Sequence, residues 1–298
     1  MTFTCNVCGH AGNELLPAHY ENPETPSCAA CGSNVRFRWL ADRLGRELFG
    51  RRTLLPDFPS NLSIRGLGLT DPLSIAGPLA ERFTYINTHF DIEPRLDIRG
   101  DDSPIGELDF LIASEVFEHI EPPVSVAFRN AARLLKPGGV LLLTTPWIWD
   151  GHDGDVLPPL YDWKLDYIDG HCSIVNRGWD GRVEWFRDVR PDGGQGRTFG
   201  NTREHFPDLH DWRLVEEDGA WRLENKRRDG VVEVFHNLSF HGGRGLALEM
   251  RIFTKESLEQ ELRDAGFTSI EFDSRECAEF GIIFPYPWNY PILARKIR

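Results

Sequence analysis

Along this chain, short unbroken apolar runs alternate with stretches in which apolar positions recur every three or four residues. Residues 62–67 read as a strand, 72–82 as a helix, 84–88 as a second strand and 94–98 as a short third. Residues 109–113 are almost wholly apolar, the pattern of a strand buried on both faces. A helix over 123–135 follows, with Val124, Ala127, Phe128, Ala131, Leu134 and Leu135 on one face. Lys136-Pro137-Gly138-Gly139 is a stop signal, and the apolar strand 140–144 comes after it. Towards the C-terminus, Thr254 is placed to cap a helix over 255–265 that ends at Gly266. Residues 268–273 and 291–297 then read as strands that can pair antiparallel, because no helix joins them. Strands alternating with helices of this length predict an α/β fold, a parallel sheet with helices on both faces.

Three segments depart from that rhythm. Residues 33–52 form a basic, helical stretch with Phe37, Leu40, Leu44 and Leu48 at helical spacing, and Pro56 and Pro59 mark a linker after it. Its arginines read as a charged face in water, or as a contact for an acidic partner. Residues 150–250 lose the alternation. Within them 212–217, 221–225 and 231–235 read as three antiparallel strands, with Asp218-Gly219 and Asp229-Gly230 as turns. At the N-terminus, Cys5-Asn-Val-Cys8-Gly9 and Cys28-Ala-Ala-Cys31-Gly32 are two CxxC turns with nineteen residues between them. The organisation expected is a zinc-ribbon-like module at 1–35, a basic helix and linker at 36–61, and a sheet domain at 62–149. A β-rich insertion at 150–250, a cap over the acceptor, then precedes the rest of the sheet domain at 251–298.

Composition narrows the function. The chain has 298 residues, 41% of them hydrophobic, with nine Trp and nineteen Phe, enough for a full core plus a small accessory module. A net charge of −13 argues against nucleic acid and anionic membrane as partners. No run of apolar residues is long enough to span a bilayer, and MTFTCNVCGH has none of the character of a secretory signal. The expectation is a cytoplasmic protein. Four of six cysteines in paired CxxC turns point to a structural Zn²⁺ held by Cys5, Cys8, Cys28 and Cys31, with disulfides as the alternative.

Candidate chemistry gathers where strands end. In an open parallel sheet, ligands settle beyond the carboxyl ends of the strands. The apolar run 109–113 ends in Ser114, Glu115, Glu118 and His119, and Ser114, Glu115 and His119 read as polar because they line a wet cleft. The turn after the first strand, Arg65-Gly66-Leu67-Gly68-Leu69-Thr70-Asp71, carries two glycines that allow close approach of a ligand to backbone. Position 71 is Asp, so the full GxGxxG is absent, which argues against a dinucleotide.

The runs DFLIASEVFEHIEPP, AARLLKPGGVLLLTTP and SLEQELRDAGFTSIEF resemble the class I S-adenosylmethionine-dependent methyltransferases, over about 62–147 and 250–298. The resemblance implies a Rossmann-like seven-stranded sheet with an antiparallel last strand, and S-adenosyl-L-methionine as methyl donor. By position it places Gly66 and Gly68 at the amino-acid end of the cofactor and Asp97 near the adenine. Ser114 and Glu115 would lie under the methionine part, and His119 would face the gap between donor and acceptor. Two positions depart from the pattern. Asn87 stands where an acid usually grips the ribose, with Asp91 four residues later, and Arg65 precedes Gly66 where an acid is common.

Methyl transfer asks for positioning and, with a hydroxyl or amine acceptor, for a general base. His119 is the candidate base, and a helix cap or a bond to a backbone carbonyl is its ordinary reading. His205 and His241 of the insertion are candidate substrate contacts, and Trp147, Trp149, Trp163 and Tyr161 are candidates for stacking or for core packing. The acceptor expected is a small-molecule or glycan-like one. The competing expectation is a zinc-ribbon binding module, its basic helix meeting an acidic partner, fused to a catalytically silent sheet domain.

Overall fold

The computed structural model describes residues 1–21, 24–100, 107–148, 162–168, 171–177, 183–186, 209–236, 238, 240–241, 247–251, 253–284 and 290–296. The chain divides into two compact units. One comprises Met1–Phe117, Val126–Thr145 and Glu259–Arg298, the other Glu118–Ser125 and Pro146–Leu258.

The first unit opens with an antiparallel pair, β1 (Thr2–Phe3) and β2 (Asn13–Glu14), then a short α1 (Pro17–Glu21) and a long α2 (Val35–Phe49). Asn34 caps α2, its side-chain oxygen accepting from Phe37 N–H at 3.0 Å. Gly50, at φ +68°, ends the helix with its N–H on the Arg46 carbonyl at 2.9 Å. The chain then runs through β3 (Arg65–Leu69), α3 (Leu73–Arg82), β4 (Thr84–Thr88), β5 (Leu108–Ser114), α4 (Ser125–Leu134) and β6 (Leu135–Thr144).

The second unit holds β7 (Trp147–Ile148), β8 (Asp162–Ile168), β9 (His171–Arg177), β10 (Val183–Phe186), β11 (Asp211–Glu217), β12 (Ala220–Lys226), β13 (Val232–Phe235), β14 (Phe240–His241), β15 (Ala247–Leu248) and β16 (Phe253–Thr254). Here β8–β10 form one antiparallel sheet and β11–β13 another. The β11–β12 hairpin turns on Asp218 at φ +51° and Gly219 at φ +76°, the left-handed pair that a two-residue hairpin needs. The chain returns through α5 (Lys255–Asp264), β17 (Phe267–Phe272) and β18 (Ile292–Lys296).

The central sheet has the order β17-β18-β6-β5-β3-β4, with β6, β5, β3 and β4 parallel and β18 antiparallel to both its neighbours. Six strands are present among the described residues rather than the seven expected. The missing one is 94–98, where Arg95 makes a single bridge to His89 and no ladder follows. Its backbone instead closes a local loop, with His89 N–H on the Pro94 carbonyl at 2.9 Å and Leu96 N–H on the His89 carbonyl at 2.8 Å. A second difference lies at the Lys136–Gly139 turn, which β6 absorbs through a Leu108–Leu135 bridge and a register shift. Gly139 is needed there, because a Cβ would stand 2.8 Å from the Leu108 carbonyl oxygen.

The core of this unit is continuous from the cysteine turns to the sheet. Phe3, Cys5, Val7 and Cys28 belong to the same buried cluster as Trp39, Leu44, Phe58, Phe110 and Leu142. Gly66 sits in register between Tyr85 on β4 and Phe110 on β5, whose rings lie 6.0 Å apart at 15°. They close over the glycine, so that a Cβ at 66 would lie 2.1 Å from the Phe110 ring. Among the described residues, no helix is long and apolar enough to cross a membrane.

Gly66→Ala should therefore lower stability by about 1–3 kcal/mol, the usual cost of overpacking a filled core. Urea unfolding measures it, and a second change, Phe110→Leu, should restore part of the loss by removing the obstructing ring atoms.

Candidate functional site

The strand order reverses between β3 and β5, so the crevice of the sheet opens at their carboxyl ends. β3 ends there in Thr70, held at φ +62°, and Asp71. Thr70 N–H reaches the Thr88 carbonyl at 2.7 Å, and Thr88 Oγ1 donates to the Gly68 carbonyl at 2.9 Å. Asp71 is 5% exposed. Its Oδ2 accepts from the Tyr85 hydroxyl at 2.5 Å, while Oδ1 has no hydrogen-bond partner among the described residues. Burial lifts this carboxyl from its ordinary 3.8 to about 7, against the opposing pull of the Tyr85 hydroxyl and the Arg36 charge.

Asn87 stands beside it on β4 and holds the loop through both ends of its amide. Oδ1 accepts from Asp71 N–H at 2.9 Å, and Nδ2 donates to the Asp71 carbonyl at 2.8 Å. The three side chains fill the space above Gly68, where a Cβ would lie 1.9 Å from the Tyr85 hydroxyl, 2.2 Å from Asp71 Oδ2 and 3.0 Å from Asn87 Oδ1. The two glycines thus make room for the protein's own side chains, Phe110 at 66 and this polar trio at 68.

β5 ends in Ser114, whose hydroxyl lies 2.8 Å from Thr144 Oγ1 at the end of β6. Glu115 turns the chain at φ +54°, with its N–H on the Thr144 carbonyl at 2.9 Å. The Arg36 guanidinium, from the first turn of α2, donates to Ser114 Oγ. It is also gripped by Glu24 through both carboxylate oxygens, one contact at 2.7 Å. Asp97, half-buried, accepts from Arg99 N–H at 2.9 Å. Asn130 of α4 closes the same loop onto the carbonyls of Ile98 and Gly100, at 2.9 and 3.2 Å.

His119 lies in the second unit. Its Nδ1 is 2.9 Å from the Leu248 carbonyl oxygen, so Nδ1 carries the hydrogen, and Nε2 is 3.6 Å from the Glu118 carboxylate. The ordinary reading, a ring bonded to a backbone carbonyl, is the observed one, and in neutral histidine it leaves the lone pair on Nε2. His241 stands in β14 opposite Ala247. His205, Trp149 and Tyr161 fall outside the described residues, Trp163 lies in β8, and Trp147 is buried.

The four N-terminal thiols converge. Cys5 and Cys31 sulfurs are 3.8 Å apart, Cys8 and Cys28 sulfurs 3.6 Å, and all four lie within 4.8 Å of one another. These are free cysteines, which removes the disulfide alternative. A tetrahedral Zn²⁺ with bonds of about 2.3 Å sets its sulfurs about 3.8 Å apart, so the donor set fits that ion. Burial lifts the Cys5 and Cys8 thiols above their usual range. Burial opposes ionisation of Cys28 too, but backbone N–H groups of Cys31 and Ala30 outweigh it and bring this thiol down to about 7.

The basic helix corrects the solvated-face reading of its arginines. Arg36, Arg38 and Arg43 are all buried. Arg43 meets Glu47 at 3.0 Å, Glu271 at 2.7 Å and Asp273 at 3.3 Å, and Arg46 meets Asp42 at 2.8 Å. Arg38 gives its guanidinium to Ser27 Oγ, the Ser33 carbonyl and the Gly281 carbonyl, with the Phe3 ring 4.3 Å away. These charges are spent inside the fold, which disfavours an acidic partner for this face. Sequence reasoning also passed over Glu24, Tyr85 and Thr144; only the strand alternation of TYINT, which points Tyr85 inward, signalled one of them.

Residues 60–180 match the family model described as a methyltransferase domain. The match takes in less than half of the chain, and no curated protein sequence matches it. Among solved structures, the sugar N-methyltransferase KedS8 from Streptoalloteichus gives a TM-score of 0.41 at 12% identity, covering 97% of this chain and 96% of that one. The SAM-bound amino pentose methyltransferase CalS10 from Micromonospora echinaspora gives 0.37 at 15%, with 86% and 88% covered. DesVI from Streptomyces venezuelae gives 0.37 at 12%, with 79% and 84% covered.

The segment that matches the family model carries a buried carboxyl at the crevice, with a consequence for stability. Between pH 3.8 and about 7 the folded protein keeps the Asp71 proton that the unfolded chain has released, so stability falls as pH rises through that window. Asp71→Asn removes this dependence. Its stability relative to the parent should rise across the window by on the order of a few kcal/mol, at about 1.4 kcal/mol per pKa unit, and level off above it. Urea titrations at intervals from pH 4 to 8 read the difference.

Proposed function

We propose that this protein is an S-adenosylmethionine-dependent methyltransferase acting on a small-molecule or glycan-like acceptor, with a structural Zn²⁺ in its N-terminal segment. The observation that carries the reading is the topological switch between β3 and β5, lying inside the segment that matches a methyltransferase domain and rimmed by Asp71, Ser114 and Glu115. S-adenosylmethionine, when bound, supplies an electrophilic methyl group on sulfur. The chain supplies the rest. Gly66, Gly68, Asn87, Asp97, Ser114 and Glu115 are the proposed cofactor residues. Of these, Asn87 acts by holding the Asp71 loop in place, Gly68 by leaving space for the Asp71 and Tyr85 side chains, and Ser114 offers a hydroxyl backed by Thr144.

His119 is the proposed general base. The Leu248 carbonyl fixes the hydrogen on Nδ1, and Nε2, with its lone pair, is the atom that would take the acceptor's proton, beside the Glu118 carboxylate. His205 and His241 are proposed acceptor contacts. The net charge of −13 supports an acceptor other than nucleic acid. Cys5, Cys8, Cys28 and Cys31 are the proposed zinc ligands, supported by sulfur spacings close to those of a tetrahedral ion.

Calorimetry with S-adenosylhomocysteine tests the cofactor reading, and absence of heat and of thermal shift would overturn it. Transfer of label from S-adenosylmethionine to a cell-extract acceptor should fall about 100-fold or more in His119→Ala, with S-adenosylhomocysteine affinity unchanged. Elemental analysis should find one zinc per chain. Cys28→Ser should lose it and melt at a lower temperature, since these ligands share the main core.

A further inference from the structure

Glu24 and Arg36 form a carboxylate–guanidinium fork at the carboxyl end of β5, and the methyltransferase reading gives that fork a ligand. Arg36 reaches the crevice from α2 and donates to Ser114 Oγ while Glu24 occupies its other edge. Glu24 comes from the loop between the two cysteine pairs, and its side chain is 23% exposed against 10% for Arg36. A planar fork takes one carboxylate as readily as another, so exchanging Glu24 for a ligand carboxylate conserves the bonding on Arg36 and returns Glu24 to water. Asp71 provides the complementary half. It lies close enough to feel the Arg36 charge, and its Oδ1 is buried without a hydrogen-bond partner among the described residues. Once the carboxyl is ionised that oxygen asks for a donor, and an ammonium placed beside it favours the ionised form.

A positive fork and an orphaned acid oxygen at one crevice match a zwitterion. We propose that Arg36 and Asp71 seat the α-amino-acid end of the cofactor, Arg36 taking its carboxylate and Asp71 its ammonium, and that Glu24 holds Arg36 as an internal carboxylate until the ligand displaces it. This assignment rests on the methyltransferase reading and adds two binding residues and a competitor from the cysteine-bearing segment. Glu24 thereby taxes affinity, because only the fraction of molecules with the fork released binds at full strength.

Two nucleosides separate the possibilities. S-adenosylhomocysteine carries the amino-acid end, and 5′-methylthioadenosine has the same adenosine and thioether without it. Arg36→Ala and Asp71→Asn should each weaken S-adenosylhomocysteine binding roughly 10- to 100-fold and leave 5′-methylthioadenosine unchanged. Glu24→Gln should tighten S-adenosylhomocysteine by about threefold or more, again without touching the shorter nucleoside. Since Arg36→Ala removes a buried group, its melting temperature is measured alongside, and Glu24→Gln provides the arm that leaves the core intact. Variants that shift both nucleosides equally, or a Glu24→Gln protein with unaltered S-adenosylhomocysteine affinity, would overturn the assignment while the methyltransferase reading stands. Wild-type protein that binds neither nucleoside overturns both.

Discussion

The first unit depends on satisfying the arginine charges of one helix inside a core. Arg38 is fully buried, and a guanidinium taken out of water costs several kcal/mol unless its donors are met. Its two terminal nitrogens meet theirs on Ser27, Ser33 and the sequence-distant Gly281, while Nε has no hydrogen-bond partner among the described residues. Burial lowers its pKa to about 10, and the neighbouring cysteine thiols pull the other way. Arg43 does the same for the sheet edge, joining α2 to Glu271 and Asp273 at the end of β17, where Trp39 also donates to Asp273 at 3.0 Å. The cysteine turns, α2 and the β17–β18 edge are therefore one electrostatic assembly. The N-terminal segment also shares the sheet's apolar core.

That assembly also explains how a residue from outside the sheet reaches the crevice. With Arg38 and Arg43 pinned, the helix cannot rotate, and Arg36 is carried to Ser114 as a consequence. The proposed cofactor seat is then set by a helix whose own geometry is fixed some distance away, through contacts that have no part in binding. Zinc at the cysteines would act on the same helix, since Cys31 precedes the Asn34 cap by three residues.

Much of the sheet was legible because its signals are local. The apolar run at 109–113, the Asp-Gly hairpin turns and the periodic helices each contain their own instructions, and the antiparallel end of the sheet followed from the absence of a connecting helix. The strand expected at 94–98 failed because nothing within five residues says whether a partner edge is available, and here the backbone bonds to itself around His89. The arginines of α2 were misjudged for the same reason. A basic helix looks solvated until its partners are known, and Glu24, Glu271 and Asp273 cannot be matched to it from spacing. The glycines of β3 were read as room for a ligand. Phe110, Tyr85 and Asp71 take the space a side chain would fill at these two positions, and only the register of three strands reveals it.

Asn87 shows how such coupling alters a site without abolishing it. An acid at the end of β4 would accept from Asp71 N–H as Asn87 does, but it has no hydrogen to give the Asp71 carbonyl. It would also add a negative charge beside a carboxyl already lifted to about 7 by burial. Once Asp71 closes the loop after β3, the amide is the side chain that fits at 87. The amide at 87 and the acid at 71 therefore form one matched pair of side chains. In the proposed site the acid thus stands at the end of β3 rather than of β4, where it feels the Arg36 charge.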